Sequence, residues 1–204
     1  MNFQAPFCAR LAPRFDNVTK APQRKITLKT PEFDDYAHFY AQRFEPGVVY
    51  WADDAPHTIP LEEYAGGRLL AQGMGEIIER IIVLDGEPIG TITARDFVKK
   101  TCQCTLGIVI ASPQHWSHGY GSEALRLFLD LLAREGFALI VLETYANNTR
   151  AQRCFTKLGF RKYRVFYAAG SGRFVVQMIR KLPPPPPIGT LISPNDPHWK
   201  PPKR

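Results

Sequence analysis

The chain has 204 residues, 45% hydrophobic and 22% charged, which suits one globular domain with extensions. It contains no apolar run long enough to span a membrane, and its first residues lack the apolar core of a secretory signal, so we expect neither. The formal net charge is +7. Residues 1–25 contribute +4 and residues 181–204 contribute +3, whereas residues 26–180 carry 17 basic and 17 acidic residues. We therefore assign the basic character to the tails and expect nucleic-acid contact only through them.

The four cysteines are Cys8, Cys102, Cys104 and Cys154. They form no C-x-x-C pair and have no histidine at zinc-ligand spacing, so the sequence predicts no metal site. Free thiols in a chain without a recognisable leader favour a reducing compartment, and we expect a cytoplasmic location.

The first 24 residues are rich in Pro, Arg and Ala and are predicted to form an N-terminal extension. The folded domain is predicted over residues 25–182, opening with a strand from Lys25 to Lys29. A helix is expected over residues 31–44, because Thr30 suits an N-cap and Pro31 suits the first helical position. Its predicted apolar face follows helical spacing. That face comprises Phe33, Ala37, Tyr40 and Phe44.

Residues 46–57 contain Pro, Gly, aromatics and acids and are predicted to form a loop. Its acids Asp53 and Asp54 fit either an exposed turn or a site that attracts a cationic amine. Residues 58–73 are predicted to form a second helix, weakened by two adjacent glycines.

The remaining elements alternate between strands and helices. Asp85-Gly86 predicts a tight turn between two strands, and a third strand leads toward the glycine-rich segment near residue 119. Residues 183–204 are predicted to form a Pro-rich tail that cannot build a core. Together the pattern predicts a mixed α/β fold, with a central twisted sheet of six or seven strands and helices on both faces. The predicted elements are strands Arg80–Leu84, Pro88–Arg95, Gln103–Ala111, Leu139–Thr144, Arg161–Tyr167 and Phe174–Arg180, and helices Ser122–Arg134 and Thr149–Leu158.

The segment with the clearest chemistry is residues 106–124, LGIVIASPQHWSHGYGSEA. A buried strand leads into a loop containing Gly119 and Gly121, and a helix follows at once. The first amides of such a helix have no internal partner, and the helix dipole adds partial positive charge at the same end. Glycines let a pyrophosphate approach the backbone, so this segment predicts an anion site. No Lys-Ser/Thr pair follows Gly121, which argues against a nucleotide-hydrolysing P-loop.

Two motifs resemble those of the GNAT superfamily of N-acetyltransferases. Residues 116–121, WSHGYG, followed by SEAL, are similar to its motif A, with Trp116 at the position usually held by Arg or Gln. Residues 148–160, NTRAQRCFTKLGF, are similar to its motif B, with Asn148 at the start. The resemblance covers about residues 25–182 and favours the branch that contains ribosomal-protein and polyamine acetyltransferases.

The resemblance implies acetyl-CoA as cosubstrate and direct transfer of acetyl to an amine acceptor. The amides of the motif A loop would hold the pyrophosphate, and the preceding strand would bind the pantetheine in a gap between splayed strands. Asn148, Trp116 and Phe155 would also lie at the cofactor. The implied pyrophosphate residues are Ser117, His118, Gly119, Tyr120, Gly121 and Ser122, and the implied pantetheine residues are Ile108, Val109 and Ile110.

The amine must lose a proton, and Glu143 is our candidate general base. It closes the apolar strand that begins at Leu139, where burial would raise the pKa of its carboxyl group. The alternative is a structural ion pair between Glu143 and a nearby arginine such as Arg150.

Phe155 departs from the family pattern, which commonly has Tyr there as the acid for the thiolate. Because Phe cannot donate a proton, either no acid is needed or another residue such as Tyr120, Tyr145 or Tyr163 supplies one. A non-catalytic acyl-CoA-binding sensor of the same fold is the alternative function. The sequence does not choose among protein N-termini, polyamines, aminoglycosides and amino-acid-like metabolites as acceptors, and the resemblance is also consistent with a homodimer.

Overall fold

The computed structural model describes residues 24–52 and 59–183. The Pro-rich tail beyond Pro183, the N-terminal extension before Arg24, and both Asp53 and Asp54 lie outside these residues. The strands are β1 Ile26–Lys29, β2 Ile78–Leu84, β3 Glu87–Val98, β4 Gln103–Ile110, β5 Leu139–Tyr145, β6 Arg161–Ala168 and β7 Arg173–Lys181. The α-helices are α1 Phe33–Tyr40, α2 Pro46–Ala52, α3 Leu61–Gly73, α4 Tyr120–Arg134 and α5 Thr149–Lys157.

The seven described strands form one mixed sheet in the order β1-β2-β3-β4-β5-β7-β6. The pairing of β4 with β5 is parallel and the other five pairings are antiparallel. A parallel pair needs a crossover connection, and α4 supplies it. The mixed α/β class and the sheet of six or seven strands are thus confirmed.

Two apolar clusters lie on opposite faces of the sheet. The larger one packs α4 and α5 against the sheet around Phe128 and Ile140, both fully buried. The smaller one packs Tyr36 of α1 and Ala65 of α3 against Ile81. The helices therefore cover both faces, as predicted. None of the described helices has the length and apolar character that a membrane crossing requires.

The turn between β2 and β3 has the backbone that its sequence predicts. Asp85 and Gly86 both adopt positive φ, 51° and 97°. Such a pair matches the twist of the flanking strands, and Asn, Asp and Gly tolerate it best. The strands extend beyond the predicted bounds, since β2 begins at Ile78 and β3 ends at Val98.

The first two helical segments differ from the prediction. Helix α1 begins at Phe33, and its buried residues are Asp35 and Tyr36, whereas Phe33 is 40% exposed and Ala37 is also exposed. The predicted apolar face is therefore wrong for Phe33 and Ala37. Its other two residues, Tyr40 and Phe44, are half-buried and pack edge-on against each other. The predicted loop also contains helix α2, which begins at Pro46. Proline suits that first position because its missing N–H has no helical partner there.

The charge is also distributed differently from the prediction. Residues 144–183 contain nine Lys and Arg and no Asp or Glu, whereas residues 24–143 contain eleven Lys and Arg against seventeen Asp and Glu. The interpretation that the basic character lies in the tails alone is therefore wrong. The net charge of the domain is close to zero because the excess of basic residues from α5 to β7 offsets the excess of acidic residues in the rest of the domain.

The backbones of β3 and β4 approach closely at Gly90. A Cβ at this position would lie 2.1 Å from the carbonyl oxygen of Val109 and 3.0 Å from the Cα of Ile110. Both atoms belong to the backbone, so neither can move aside without separating the strands. Gly90 thus sets the strand spacing next to the predicted cofactor strand.

We expect Gly90→Ala to lower the free energy of unfolding by about 2 kcal/mol or more, because overpacking against backbone forces a strand shift. The matched control is Gly67→Ala in α3, where a Cβ meets nothing within 4 Å and where Ala is favoured by about 0.8 kcal/mol. Urea denaturation followed by circular dichroism measures both. Equal stability of the two variants would contradict the argument.

Candidate active site

The central feature of the site is the point where β4 and β5 separate. Their parallel pairing runs from Gln103 with Leu139 to Leu106 with Leu142 and then ends. Beyond it, β4 continues to Ile110, paired only with β3, and β5 continues to Tyr145, paired only with β7. The backbone groups of β4 that are directed away from β3 therefore border a gap in the sheet.

The loop after β4 places backbone amides at the mouth of this gap. Ser117 and Gly119 adopt positive φ, 65° and 88°, and Gly119 is the N-cap of α4 without any side-chain cap. The first-turn amides of α4 thus lack the usual capping oxygen, which leaves them available to an anion. Gly121 faces β4, since its Cβ would lie 3.9 Å from Ile108.

A cavity of about 600 Å³ extends from this loop into the gap between the strands. Of the twelve residues predicted to hold the cofactor, all but His118 line it. His118 is exposed and stacks on the ring of Tyr120 with centroids 5.5 Å apart. The predicted residues that line the cavity are Ile108, Val109, Ile110, Trp116, Ser117, Gly119, Tyr120, Gly121, Ser122, Asn148 and Phe155.

Trp116 joins the loop to both neighbouring elements. Its indole N–H donates to the carbonyl oxygen of Ile110 at 3.1 Å. The guanidinium of Arg150, on α5, lies 4.0 Å from the centre of its ring, a cation–π contact. Partial burial there lowers the pKa of Arg150 below its usual range. Trp116 thus fixes the loop relative to β4 and α5.

A second cavity of about 400 Å³ lies on the sheet face that carries α1 and α3. Its floor is polar and includes Thr91, Thr93 and Thr105, and Arg95 lies at its side. Glu143 lines both cavities, as do Trp51 and residues 106–109. The two cavities therefore meet at the point of strand separation, and Glu143 stands at their junction.

Glu143 is exposed, so the predicted desolvation is wrong. It lies on the open face of β5, beyond the last residue that pairs with β4. Its Oε1 accepts a hydrogen bond from the side-chain amide of Gln177 on β7 at 2.7 Å. Glu143 also does not form the alternative ion pair with Arg150, because the Arg150 guanidinium stacks on Trp116.

The aromatic candidates for a general acid lie in different places. The hydroxyl of Tyr120, in the larger cavity, accepts a hydrogen bond from Arg24 at 2.7 Å. Tyr145 lines the smaller cavity, and the Arg173 guanidinium lies 3.3 Å from its ring centre. Tyr163 is 65% exposed on β6 and lines neither cavity.

The two motif B residues have structural contacts as well as a place at the larger cavity. The Asn148 side chain caps α5 by accepting from the backbone amide of Ala151 at 3.1 Å. Phe155 is buried and packs edge-on against Phe160 with ring centres 6.0 Å apart. Both residues thus help to position α5 along the cavity.

A buried ion pair lies beneath the smaller cavity and was missed by the sequence analysis. Glu79 is fully buried and accepts from Arg68, from the hydroxyl of Tyr36 at 2.5 Å, and from Thr93 at 3.0 Å. Burial opposes the charge of Arg68, but the hydrogen bonds and the attraction of Glu79 outweigh it and raise the pKa of Arg68. Burial, reinforced by Glu79, also raises the pKa of Tyr36.

The sequence analysis also missed the contribution of α2. Val48 and Trp51 line both cavities, and Arg173 fastens this helix to the sheet by donating to the backbone oxygen of Tyr50 at 2.7 Å. Proline at the first helical position, followed by an apolar run, was the signal that predicts a helix here. The contact with Arg173 has no local signal, because the two residues are 123 positions apart.

A comparison with models of protein families finds that residues 25–161 match the acetyltransferase (GNAT) domain. The chain belongs to this family. The suspected superfamily and the predicted enzyme class, an acetyl-CoA-dependent N-acetyltransferase, are thereby confirmed. A search by sequence among curated proteins finds no match.

Solved structures of similar fold include several acetyltransferases. The RimL ribosomal L7/L12 alpha-N-protein acetyltransferase in complex with coenzyme A is 14% identical, with 77% of this chain and 94% of that chain covered and a TM-score of 0.69. The Vibrio cholerae spermidine N-acetyltransferase with CoA and spermine is 15% identical, with coverages of 76% and 95% and a TM-score of 0.68. An aminoglycoside acetyltransferase with coenzyme A is 21% identical, with coverages of 77% and 95% and a TM-score of 0.64. At these identities the likeness establishes the GNAT fold.

The described residues of this GNAT domain contain no group of three or more His, Cys, Asp or Glu side chains placed to hold a metal ion. The cysteines among them, Cys102, Cys104 and Cys154, are free thiols. Cys154 lies 3.1 Å from the hydroxyl of Ser122, at the start of α4.

We expect Glu79→Ala to lower the free energy of unfolding by about 3 kcal/mol, because it leaves the half-buried Arg68 and the hydroxyls of Tyr36 and Thr93 without their acceptor. The control is Glu76→Ala, at an exposed position three residues before Glu79. It should change the free energy of unfolding by no more than about 0.5 kcal/mol. Chemical denaturation measures both.

A double variant tests the cause. Combining Glu79→Leu with Arg68→Met removes both charges and should recover part of the lost stability. No recovery would show that the loss came from packing rather than from an unpaired charge.

Proposed function

We propose that this GNAT domain transfers acetyl from acetyl-CoA to a primary amine by direct attack, with CoA in the larger cavity and the acceptor in the smaller one. The observation that carries the proposal is the meeting of the two cavities where β4 and β5 separate, with Glu143 at the junction. Such a geometry holds two substrates side by side, which supplies proximity and orientation.

The larger cavity fits acetyl-CoA in shape and in chemistry. The uncapped amides around Gly119 and Gly121 would bind the pyrophosphate. The free edge of β4 from Gly107 to Ile110 would hydrogen-bond the pantetheine as an added strand does. Arg150, Arg153 and Lys157 of α5 also line this cavity and supply positive charge toward the phosphates.

The proposed reaction needs a neutral amine. Glu143 accepts a proton from the acceptor ammonium, directly or through one water, and the amine nitrogen then attacks the thioester carbon. The C–N bond forms, the C–S bond breaks, and CoA leaves as a thiolate or, once protonated, as a thiol. Backbone N–H groups of β4 at the gap polarise the carbonyl as its oxygen gains charge. Gln177 holds the Glu143 carboxylate in place through the hydrogen bond described above.

A non-catalytic acyl-CoA-binding sensor is the alternative, and Phe155 is the observation that favours it. The residue lies in the larger cavity, is buried against Phe160, and cannot protonate the departing thiolate. Measured turnover decides between the two functions.

Gly121→Glu should abolish acetyl-CoA binding in calorimetric titration, because it places a carboxylate beside the amides proposed to bind the pyrophosphate. The wild-type chain should bind in the micromolar range typical of enzyme substrates. The matched control is Gly73→Glu, at an exposed position in α3 with open space around its Cβ. Unchanged binding by Gly121→Glu would place CoA elsewhere, and no binding by the wild-type chain would contradict both functions.

Glu143→Gln should lower kcat about 100-fold, the scale of general-base catalysis, while acetyl-CoA affinity stays unchanged. Thiol release from acetyl-CoA with a panel of amines measures the rates. A matched variant, Gln177→Ala, should have a smaller effect because it only loosens the carboxylate. Full activity of Glu143→Gln would remove Glu143 from the mechanism.

A further inference from the structure

Strand β6 ends the described sheet and is unusual in its exposure. No described strand pairs with its outer edge, and none of its eight residues is buried. Tyr163 is 65% exposed, Val165 58% and Tyr167 57%, and the neighbouring Phe174 of β7 is 59% exposed. An exposed apolar edge strand readily pairs with another chain, and natural proteins usually protect such edges.

The charges on this strand have one sign. Arg161, Lys162 and Arg164 are all exposed, and the acid-free stretch of residues 144–183 surrounds them. The register with β7 places Arg161 and Arg164 on the face that carries Glu143 and Gln177, and Lys162 with Val165 on the opposite face. A chain lying beside β6 would therefore meet cationic side chains on both faces of the sheet.

These properties select among the occupants of the edge. A second copy paired through the same strand would bring two sets of Arg161, Lys162 and Arg164 together, and the tails of this chain are also basic. Like charges at such close range are unfavourable. A nucleic acid would satisfy the charges but has no backbone that matches the alternating N–H and C=O groups of a strand edge. An acidic polypeptide satisfies both requirements, because its carboxylates match the cations and its backbone matches the N–H and C=O groups of the strand edge.

We propose that the outer edge of β6 binds an extended acidic polypeptide segment by strand addition. The backbone of the segment pairs with β6, its carboxylates contact Arg161, Lys162 and Arg164, and its apolar side chains cover Val165 and Tyr167. This surface is separate from the cavities of the acetyltransferase site, and the inference does not rest on the proposed function.

The test uses a fluorescein-labelled peptide of about twelve residues in which Glu and Val alternate. This peptide is longer than a typical β-strand, so it can pair along the whole edge of β6. Fluorescence anisotropy with the full chain should show binding at least about tenfold tighter than that of the matching Lys–Val peptide, weakening as salt is raised. Methylating every backbone nitrogen of the peptide should abolish binding, because it removes the pairing donors from both edges of the extended peptide.

Charge reversal locates the surface. Lys162→Glu combined with Arg164→Glu should weaken the Glu–Val peptide at least about tenfold. Lys99→Glu combined with Lys100→Glu, at exposed positions between β3 and β4, should leave it unchanged. Circular dichroism and acetyl-CoA titration verify that both variants are folded.

Four outcomes would overturn the proposal. Equal binding of the methylated peptide would show attraction by charge without strand addition. Displacement of the peptide by a polyadenylate oligonucleotide of higher affinity would make the surface a nucleic-acid site. If the wild-type chain sedimented as a dimer and the charge reversals at Lys162 and Arg164 dissociated it, the occupant of the edge would be a second copy of this chain. If the Glu–Val peptide did not bind the wild-type chain at low salt, an acidic segment would not be the partner of the β6 edge.

Discussion

The structure depends on one interruption of hydrogen bonding, the end of the β4–β5 pairing after Leu106 and Leu142. If the two strands stayed paired to their ends, the sheet would be closed and its two faces separate. Because they part, a passage opens between the cavity at the α4 loop and the cavity under α1 and α3. In the proposed function the two substrates meet at this passage, and Glu143 lines both cavities there.

Polar contacts between residues distant along the chain hold the elements around the smaller cavity in place. The Arg68–Glu79 pair connects α3 to β2 beneath the smaller cavity, and Arg173 connects β7 to α2 at its rim. Buried ion pairs contribute little net stability but penalise any arrangement that separates the partners. An ion pair of this kind therefore suits the smaller cavity, which has to keep its shape although its floor is polar. Other cations of the basic residues 144–183 line the larger cavity, as Arg150, Arg153 and Lys157 do, or lie on the outer strand β6.

The parts of this fold that were predicted from sequence are those with local causes. Asp85-Gly86 predicts its turn because both residues tolerate positive φ, and the strand–glycine–helix pattern around Gly119 predicts an anion site because helix amides are unpaired there. The burial of Glu143 was predicted wrongly from the apolar residues before it. Those residues lie where β5 is paired with both β4 and β7, whereas Glu143 lies just past the separation, where β4 no longer pairs with β5.

The sequence by itself determined the family, the fold class, the order of the strands and the segment proposed to hold acetyl-CoA, since each depends on contiguous residues whose preferences agree. Only the tertiary structure decided that α2 lies against both cavities and that Glu79 holds Arg68. These depend on contacts between residues distant along the chain, and local spacing carries no record of which distant side chains the folding of the sheet brings together.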